Sequence, residues 1–364
     1  MARPRAIYRG KRKYGWIITV VLFLLIIAFM VGMWVFYDMQ KYIRYEKDGL
    51  YLDLTEGEVQ PDEDDEDDEL SVLAPPVTDA QIVVSMPDYS QMKSMVTSRL
   101  KDIQALYVSR EKMTAQNLAY YPSILAESQN KYNCLVLNVK SEDGTLRYYS
   151  GVSMAGSYGV NGTENIKEAL GKLKEHDLWL VAELSCLGDS AMAMRNSPIS
   201  LKNAGGGVLT DETCSWLDPY NSVTREYIVD LMRELKEMGF DEVLLTNVCL
   251  PANMAIAYSQ PMSAVPDSVS AVSSLCRYLR QQADEIGIYL SAELDGTALR
   301  ENKSKDKGQD PEFFFKVFDR VYVRTNMDYY VTDVSIAKEL CATSSRLVVA
   351  VDGFTLPSGS YFVR

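Results

Sequence analysis

The chain carries a single histidine, His176, in 364 residues. It stands in Lys174-Glu175-His176-Asp177, just past a helix-like segment, and reads as an exposed helix-terminal residue. That argues against nucleophiles activated by an imidazole base. Metal chemistry is equally thin. The six cysteines (134, 186, 214, 249, 276 and 341) form no CxxC pair or other ligand spacing, so no structural metal is expected. Cys134 and Cys276 fall on apolar faces, where cysteine behaves as a small core residue, and mostly free thiols are expected. No glycine-rich phosphate loop appears, and no cofactor is expected. Basic residues are outnumbered 37 to 50, for a formal net charge of −13. This excess argues against nucleic acid as a partner, and against adhesion of the globular part to anionic lipid.

Charge is also missing locally. Residues 15–37 hold no charged side chain. As a helix they would span about 34 Å, enough to cross a bilayer core. Trp16, Trp34 and Tyr37 flank the run as interfacial anchors. It is too long for a cleaved signal peptide, and no small-x-small cleavage site follows it. A single-pass signal anchor in the cell membrane is therefore expected. The basic tail of residues 1–14 (Arg3, Arg5, Arg9, Lys11, Arg12, Lys13) would stay cytoplasmic, and everything after residue 38 would face outward.

Residues 38–98 read as a juxtamembrane arm and tether. Tyr42 to Tyr51 continue either as a short helix or as an extended arm. Asp62 to Glu69 are eight consecutive acids. Such a run repels itself and buries nothing, so a disordered acidic spacer is expected. A bare acid run lacks the loop geometry that calcium needs.

Residues 99–364 alternate short apolar runs with helical periodicity, and hydrophobic residues make up 47% of the chain, enough for a sizeable core. Strands are predicted at 103–108, 134–139, 178–184, 242–246, 288–293, 320–324 and 347–351. Among the helices, Asn221 caps one on which Tyr227, Ile228, Leu231, Leu235 and Met238 share a face, and Gly239 stops it. Ile166, Leu170 and Leu173 mark another. Asp267 opens a third, carrying Val269, Val272, Cys276, Leu279 and Ala283, which Gly287 ends. Alternating β and α segments imply a parallel sheet, and chemistry in such folds collects at the C-terminal strand ends. The eighth strand of a barrel is not evident. Tyr361-Phe362-Val363 supplies a stub of it, residues near Gln81–Val84 complete it, or the barrel is incomplete.

Several segments carry a more specific signal: Ala105-Leu106-Tyr107-Val108-Ser109, Leu137-Asn138-Val139-Lys140 with Asp143-Gly144, Trp216-Leu217-Asp218-Pro219-Tyr220-Asn221 with Gly239-Phe240-Asp241-Glu242-Val243, and Ser291-Ala292-Glu293. In these the chain resembles the bacterial putative glycosyl hydrolase domain family over about residues 100 to 355. The resemblance implies a TIM-like (β/α)8 barrel, distantly related to the alpha-amylases, that acts on or binds carbohydrate. It also marks departures. Where the family reads F-D-Y-V-R-F-P at strand four, this chain has Leu245-Thr246-Asn247-Val248-Cys249-Leu250-Pro251, without the acid or the arginine. The family's strand-two aspartate is Asn138, although Lys140 remains. Its strand-five aspartate is Glu293.

Glycoside hydrolysis normally takes two carboxyl groups, about 5–5.5 Å apart for retention and about 6.5–9.5 Å for inversion. Candidates at strand ends are Glu293, Asp295, Glu183 and Asp352, with Glu293 foremost. The structural alternative for the two glutamates is a buried ion pair with Lys140, Arg110 or Arg324. Asp218, between a tryptophan and a helix start, is expected to be structural. Lys140, Asn247, Tyr329, Tyr330, Trp216 and Arg324 are candidate substrate-binding residues. A glycan-binding member with weakened or lost catalysis, a pseudoenzyme, is the leading expectation. An active hydrolase using Glu293, or an envelope scaffold that binds protein, are the alternatives. The anchor would hold the barrel beside envelope glycans such as peptidoglycan or a surface polysaccharide.

Overall fold

The structure is a computed structural model describing Met30, residues 43–46, 49–52 and 100–363, apart from 129–130, 261–264, 302–303, 305, 342 and 352–358. Among the described residues no helix is long and apolar enough to cross a membrane. All but one residue of the anchor expected at 15–37 lies outside them. So do the basic tail, the acid run and the segment near Gln81–Val84. The chain divides into two compact units, residues 1–81 and 82–364. In the first, Ile43–Glu46 and Gly49–Leu52 pair antiparallel with Arg44 opposite Tyr51, so this part of the arm is extended. Isoleucine and tyrosine favour that backbone.

The second unit contains a closed barrel of eight parallel strands. In chain order these are β1 (Gln104–Val108), β2 (Cys134–Lys140), β3 (Trp179–Ser185), β4 (Glu242–Thr246), β5 (Tyr289–Asp295), β6 (Val321–Arg324), β7 (Leu347–Val351) and β8 (Tyr361–Val363). Seven coincide with the apolar runs to within two residues at either end. The eighth is the three-residue stub, paired on both edges: Tyr361 lies opposite Gln104 of β1 and Val349 of β7. The Tyr361 amide donates to the Ile103 carbonyl at 2.9 Å, and the Ile103 amide donates to the Ser360 hydroxyl at 3.1 Å. The barrel is therefore complete.

The helices that cover it are α1 (Ala115–Glu127), α2 (Lys167–Lys174), α3 (Ser222–Met238), α4 (Ser268–Ile286), α5 (Pro311–Val317) and α6 (Tyr330–Leu340). Local chemistry sets the ends of the two longest. The Asn221 side chain accepts the Val223 amide at 3.0 Å to open α3, and Gly239 closes it at φ +101°. Asp267 accepts the Ser270 amide at 2.9 Å to open α4, and Gly287 closes it at φ +75°. Tyr227, Ile228, Leu231 and Leu235 of α3, with Val272, Leu275, Cys276 and Leu279 of α4, fill the layer between helices and barrel. Each such leucine or isoleucine contributes about 1.5–3 kcal/mol by leaving water.

Inside the barrel, strand alternation points Ala105, Val136, Val181, Leu244, Tyr322, Val348 and Phe362 at the axis. The N-terminal end is closed by a buried polar network. Glu242 accepts Ser291 Oγ at 2.6 Å, Trp179 Nε1 at 2.8 Å and Tyr322 OH at 3.1 Å, and it pairs with the Arg320 guanidinium. Arg320 also stacks over the Trp179 ring and donates to the Lys101 carbonyl. A fully enclosed carboxylate is tolerable only with its lone pairs matched in this way. Ser291, which shares a strand face with Glu293, belongs to this base.

Candidate functional site

Continuing the alternation toward the C-terminal end brings a different set of side chains inward. Tyr107, Asn138, Glu183, Thr246, Glu293 and Arg324 all line one cavity of about 330 Å³. A second cavity of about 720 Å³ opens beside it and shares Thr213, Asn247, Glu293 and Arg324. Its other walls come from two long connections. The β3–α3 loop folds into an irregular hairpin, with bridges between Lys202 and Val208 and between Thr210 and Ser215, and contributes Asp211 and Trp216. The β4–α4 loop contributes Leu250, Pro251 and Met254. The cleft lining thus mixes apolar and carboxylate side chains.

Glu183 is 3% exposed and accepts the Asn138 side-chain amide at 3.3 Å; the same amide lies 3.1 Å from Tyr107 OH. Glu293 is 9% exposed and lies 3.4 Å from Arg324, whose own side chain is half in solvent. The pair is therefore open to the cleft. Thr246 sits between them at the end of β4, and Asn247 follows at φ +50°. Asparagine tolerates that left-handed backbone better than most residues. Its amide nitrogen reaches Ser185 Oγ at 2.8 Å, bracing β4 against β3.

Asp295, two residues beyond Glu293, turns to local duty. It caps the short helix Gly296–Arg300 through the Thr297 amide at 2.9 Å, and it pairs with Lys307 at 3.0 Å. Burial raises its carboxyl pKa, but the Thr297 amide, Lys307 and Arg324 outweigh burial and hold it below the usual carboxylate range.

Lys140 departs from the expected binding role. By alternation it should face inward with Asn138, but the register between β2 and β3 shifts there: Asn138 pairs with Glu183, and Lys140 with Leu184. This bulge re-aims the side chain. Its ammonium ends fully enclosed, 2.6 Å from an equally enclosed Asp189 and over the Tyr227 ring. Asp189 in turn caps the helix Ser190–Arg195 through the Met192 amide. The pair ties the β2 and β3 loops together below the cleft, so the lysine is no partner for either glutamate. Arg110 likewise pairs with Asp143.

The aromatic candidates separate. Trp216 lines the larger cavity, with its indole N–H on Asp211 Oδ2 at 2.9 Å. Tyr329 lies outside both cavities with the Arg300 guanidinium 4.1 Å from its ring centre. Tyr330 lines a separate cavity of about 190 Å³ between α6 and β7. Asp352 lies outside the described residues. Asp218 proves structural: it accepts the Tyr220 amide at 2.8 Å and both the amide and hydroxyl of Ser259 at 2.6 Å, locking the two mouth loops together.

Asp211, Glu212, Thr213 and Lys307 reach the cleft without having been singled out from sequence. The only local signal is that Asp211 and Thr213 form an Asx-type turn, with the Thr213 amide 2.8 Å from Asp211 Oδ1. That turn fixes local geometry but says nothing of where it docks. Among the described residues no group of three or more histidine, cysteine or acidic side chains could hold a metal ion.

The sequence model of the family described as "Putative glycosyl hydrolase domain" matches residues 105–330, from β1 to the start of α6. No curated protein sequence matches significantly. Among solved structures, the PgaB (BpsB) glycoside hydrolase domain from Bordetella bronchiseptica aligns at TM-score 0.54 and 12% identity, covering 73% of this chain and 94% of that one. A hypothetical protein from Ruminiclostridium thermocellum aligns at TM-score 0.45 and 21% identity, covering 51% and 96%. A chitinase from Chromobacterium violaceum aligns at TM-score 0.42 and 11% identity, covering 68% of each.

Proposed function

The chain belongs to the putative glycosyl hydrolase domain family, and from that premise we propose that its barrel mouth binds a glycan, with hydrolysis weakened or lost. The observation that carries this is the side chain at the end of β4. Thr246 occupies the inward position beside Glu183 and Glu293, and its hydroxyl supplies neither the carboxylate nucleophile nor the acid that glycoside hydrolysis normally uses. Asn138 gives β2 an amide where an acid could stand, and that amide is already bonded to Glu183. What remains suits recognition: exposed Met254 over a nearly buried apolar floor of Trp216 and Leu250, with amide, carboxylate and guanidinium groups for a sugar's hydroxyls.

One observation favours a second reading, an active hydrolase. Glu183 and Glu293 line a single cavity, so an acid and a base acting through water could flank a bound glycosidic bond there. A single experiment separates the two readings. The full-length chain is titrated with peptidoglycan fragments and surface polysaccharides while reducing ends are counted. Binding weakened by Met254→Ala, with release at background, supports the binding role. Release abolished by Glu293→Gln or Glu183→Gln supports the hydrolase. Absence of binding across the panel overturns both.

The uncharged run at 15–37 and its basic flank support the further proposal that this barrel is held outside the cell membrane by a single anchor, with residues 38–98 as spacer. Protease added to intact cells should then remove the barrel and spare the tail. Protection of the barrel would refute the orientation.

A further inference from the structure

Resting on the reading that the mouth holds a glycan, we propose that this cleft selects sugars bearing a free, protonated amine over neutral N-acetylated sugars, and excludes acidic ones. The argument is one of charge balance at close quarters. Glu142, Glu183 and Glu293 line the smaller cavity, and Asp211, Glu212 and Asp295 add to the larger. Among the described residues, the two cavities set two cations, Arg324 and Lys307, against these six acids, a formal excess of four negative charges. Both cations are already engaged, Arg324 with Glu293 and Lys307 with Asp295. They offer little to an incoming carboxylate.

Asp211 keeps its charge for reasons visible in its contacts. Asp211 is bound entirely by uncharged donors: the Thr213 and Cys214 amides, the Thr213 hydroxyl and the Trp216 indole. Burial raises its carboxyl pKa, but those bonds outweigh burial and hold it below the ordinary range. Glu183 and Glu293 sit in the enclosed part of the cleft, where water screens poorly. An ammonium group entering there is attracted by several carboxylates at once. An acetamide offers them one neutral N–H donor and no net charge, and a uronate or phosphate is repelled. Of the apolar residues lining the cleft only Met254 is well exposed, Trp216 and Leu250 being all but buried, so the charge term decides between sugars of the same shape.

The test uses the full-length protein and β-linked oligomers of equal length: glucosamine, N-acetylglucosamine and galacturonate, titrated in mildly acidic buffer at low and high salt. The glucosamine oligomer should bind about tenfold tighter than the N-acetylated one, the ratio that one net charge contact of ~1.4 kcal/mol supplies. Galacturonate should bind least, and the preference should shrink at high salt. Glu212→Gln and Glu142→Gln, both on the exposed rim, should each lower the preference several-fold. Equal affinity for the amine and the acetamide would overturn the charge selectivity while leaving glycan binding intact. No binding of any oligomer would overturn both. An oligolysine of matched charge binding as tightly as the glucosamine oligomer would overturn the assignment to sugar.

Discussion

Replacing Lys140 by methionine removes the cation from a pair whose side chains are both fully enclosed, 2.6 Å apart. Methionine fills much of the space of the lysine stem, so little cavity is created. The main cost is the Asp189 carboxylate left without its partner. Removing one member of a buried pair costs about 3–5 kcal/mol. For a domain near this size each 1 kcal/mol moves Tm by roughly 2–4 °C, so a drop of about 6–20 °C is expected. The cause leaves a signature in pH. Burial pushes the Asp189 carboxyl pKa up, and Lys140 opposes that rise. Without the lysine the folded value climbs further above the unfolded one. A carboxyl with a raised folded pKa contributes stability below its unfolded pKa and loses it as pH rises through the folded value. The penalty should therefore be full at neutral pH and shrink as the pH falls toward the ordinary carboxylate range. Adding Asp189→Asn removes the charge and can keep the bond from the Met192 amide, so the double variant should recover all but about 1–2 kcal/mol. Urea unfolding of the three variants across a pH series reads these quantities. A penalty independent of pH, or a double variant no more stable than the single, would refute the stranded-charge argument.

Two glycines with positive φ offer a paired comparison. Gly239→Ala meets open space and should cost only the left-handed backbone term, about 1–2 kcal/mol by thermal melting. At Gly144 (φ +82°) the added methyl would collide with Asp189 Oδ1, disturbing the buried pair as well, so Gly144→Ala should be the costlier change by a clear margin. Equal losses would mean that the contact yields easily. At the barrel base, Arg320→Lys keeps a cation near Glu242 but gives up the planar stacking on Trp179 and a fork of donors. Denaturant unfolding should show a loss of about 1–3 kcal/mol, and an unchanged midpoint would sink that account.

The fold was legible because it rests on local, repeating signals. Apolar runs marked seven strands, and Asn221, Gly239, Asp267 and Gly287 marked the ends of α3 and α4. The strand β8 was not, since three residues are too few to display a period. At the mouth, alternation along a regular strand makes it predictable that Glu183, Glu293 and Arg324 face one space. It fails for Lys140 because a single register shift inverts the parity, and a bulge has no composition of its own. Asp211 and Lys307 were invisible for another reason. Their positions depend on how long loops dock, which is set by contacts such as Asp218 with Ser259, 41 residues apart. Tyr330 was drawn to attention by its place after β6, but α6 begins at that residue and carries it to a different cavity.

The closing strand sets a condition on how the molecule is made. Its partner β1 lies more than 250 residues upstream, as the Ile103–Ser360 bond records. During synthesis β1 and β7 remain open edges until Val363 has left the ribosome, and such edges invite pairing with other chains. Ring closure must then overcome the entropy of bringing together distant segments, which slows the last step. A chain cut short before Tyr361 would therefore be an open sheet with two sticky margins, rather than a barrel missing one small piece.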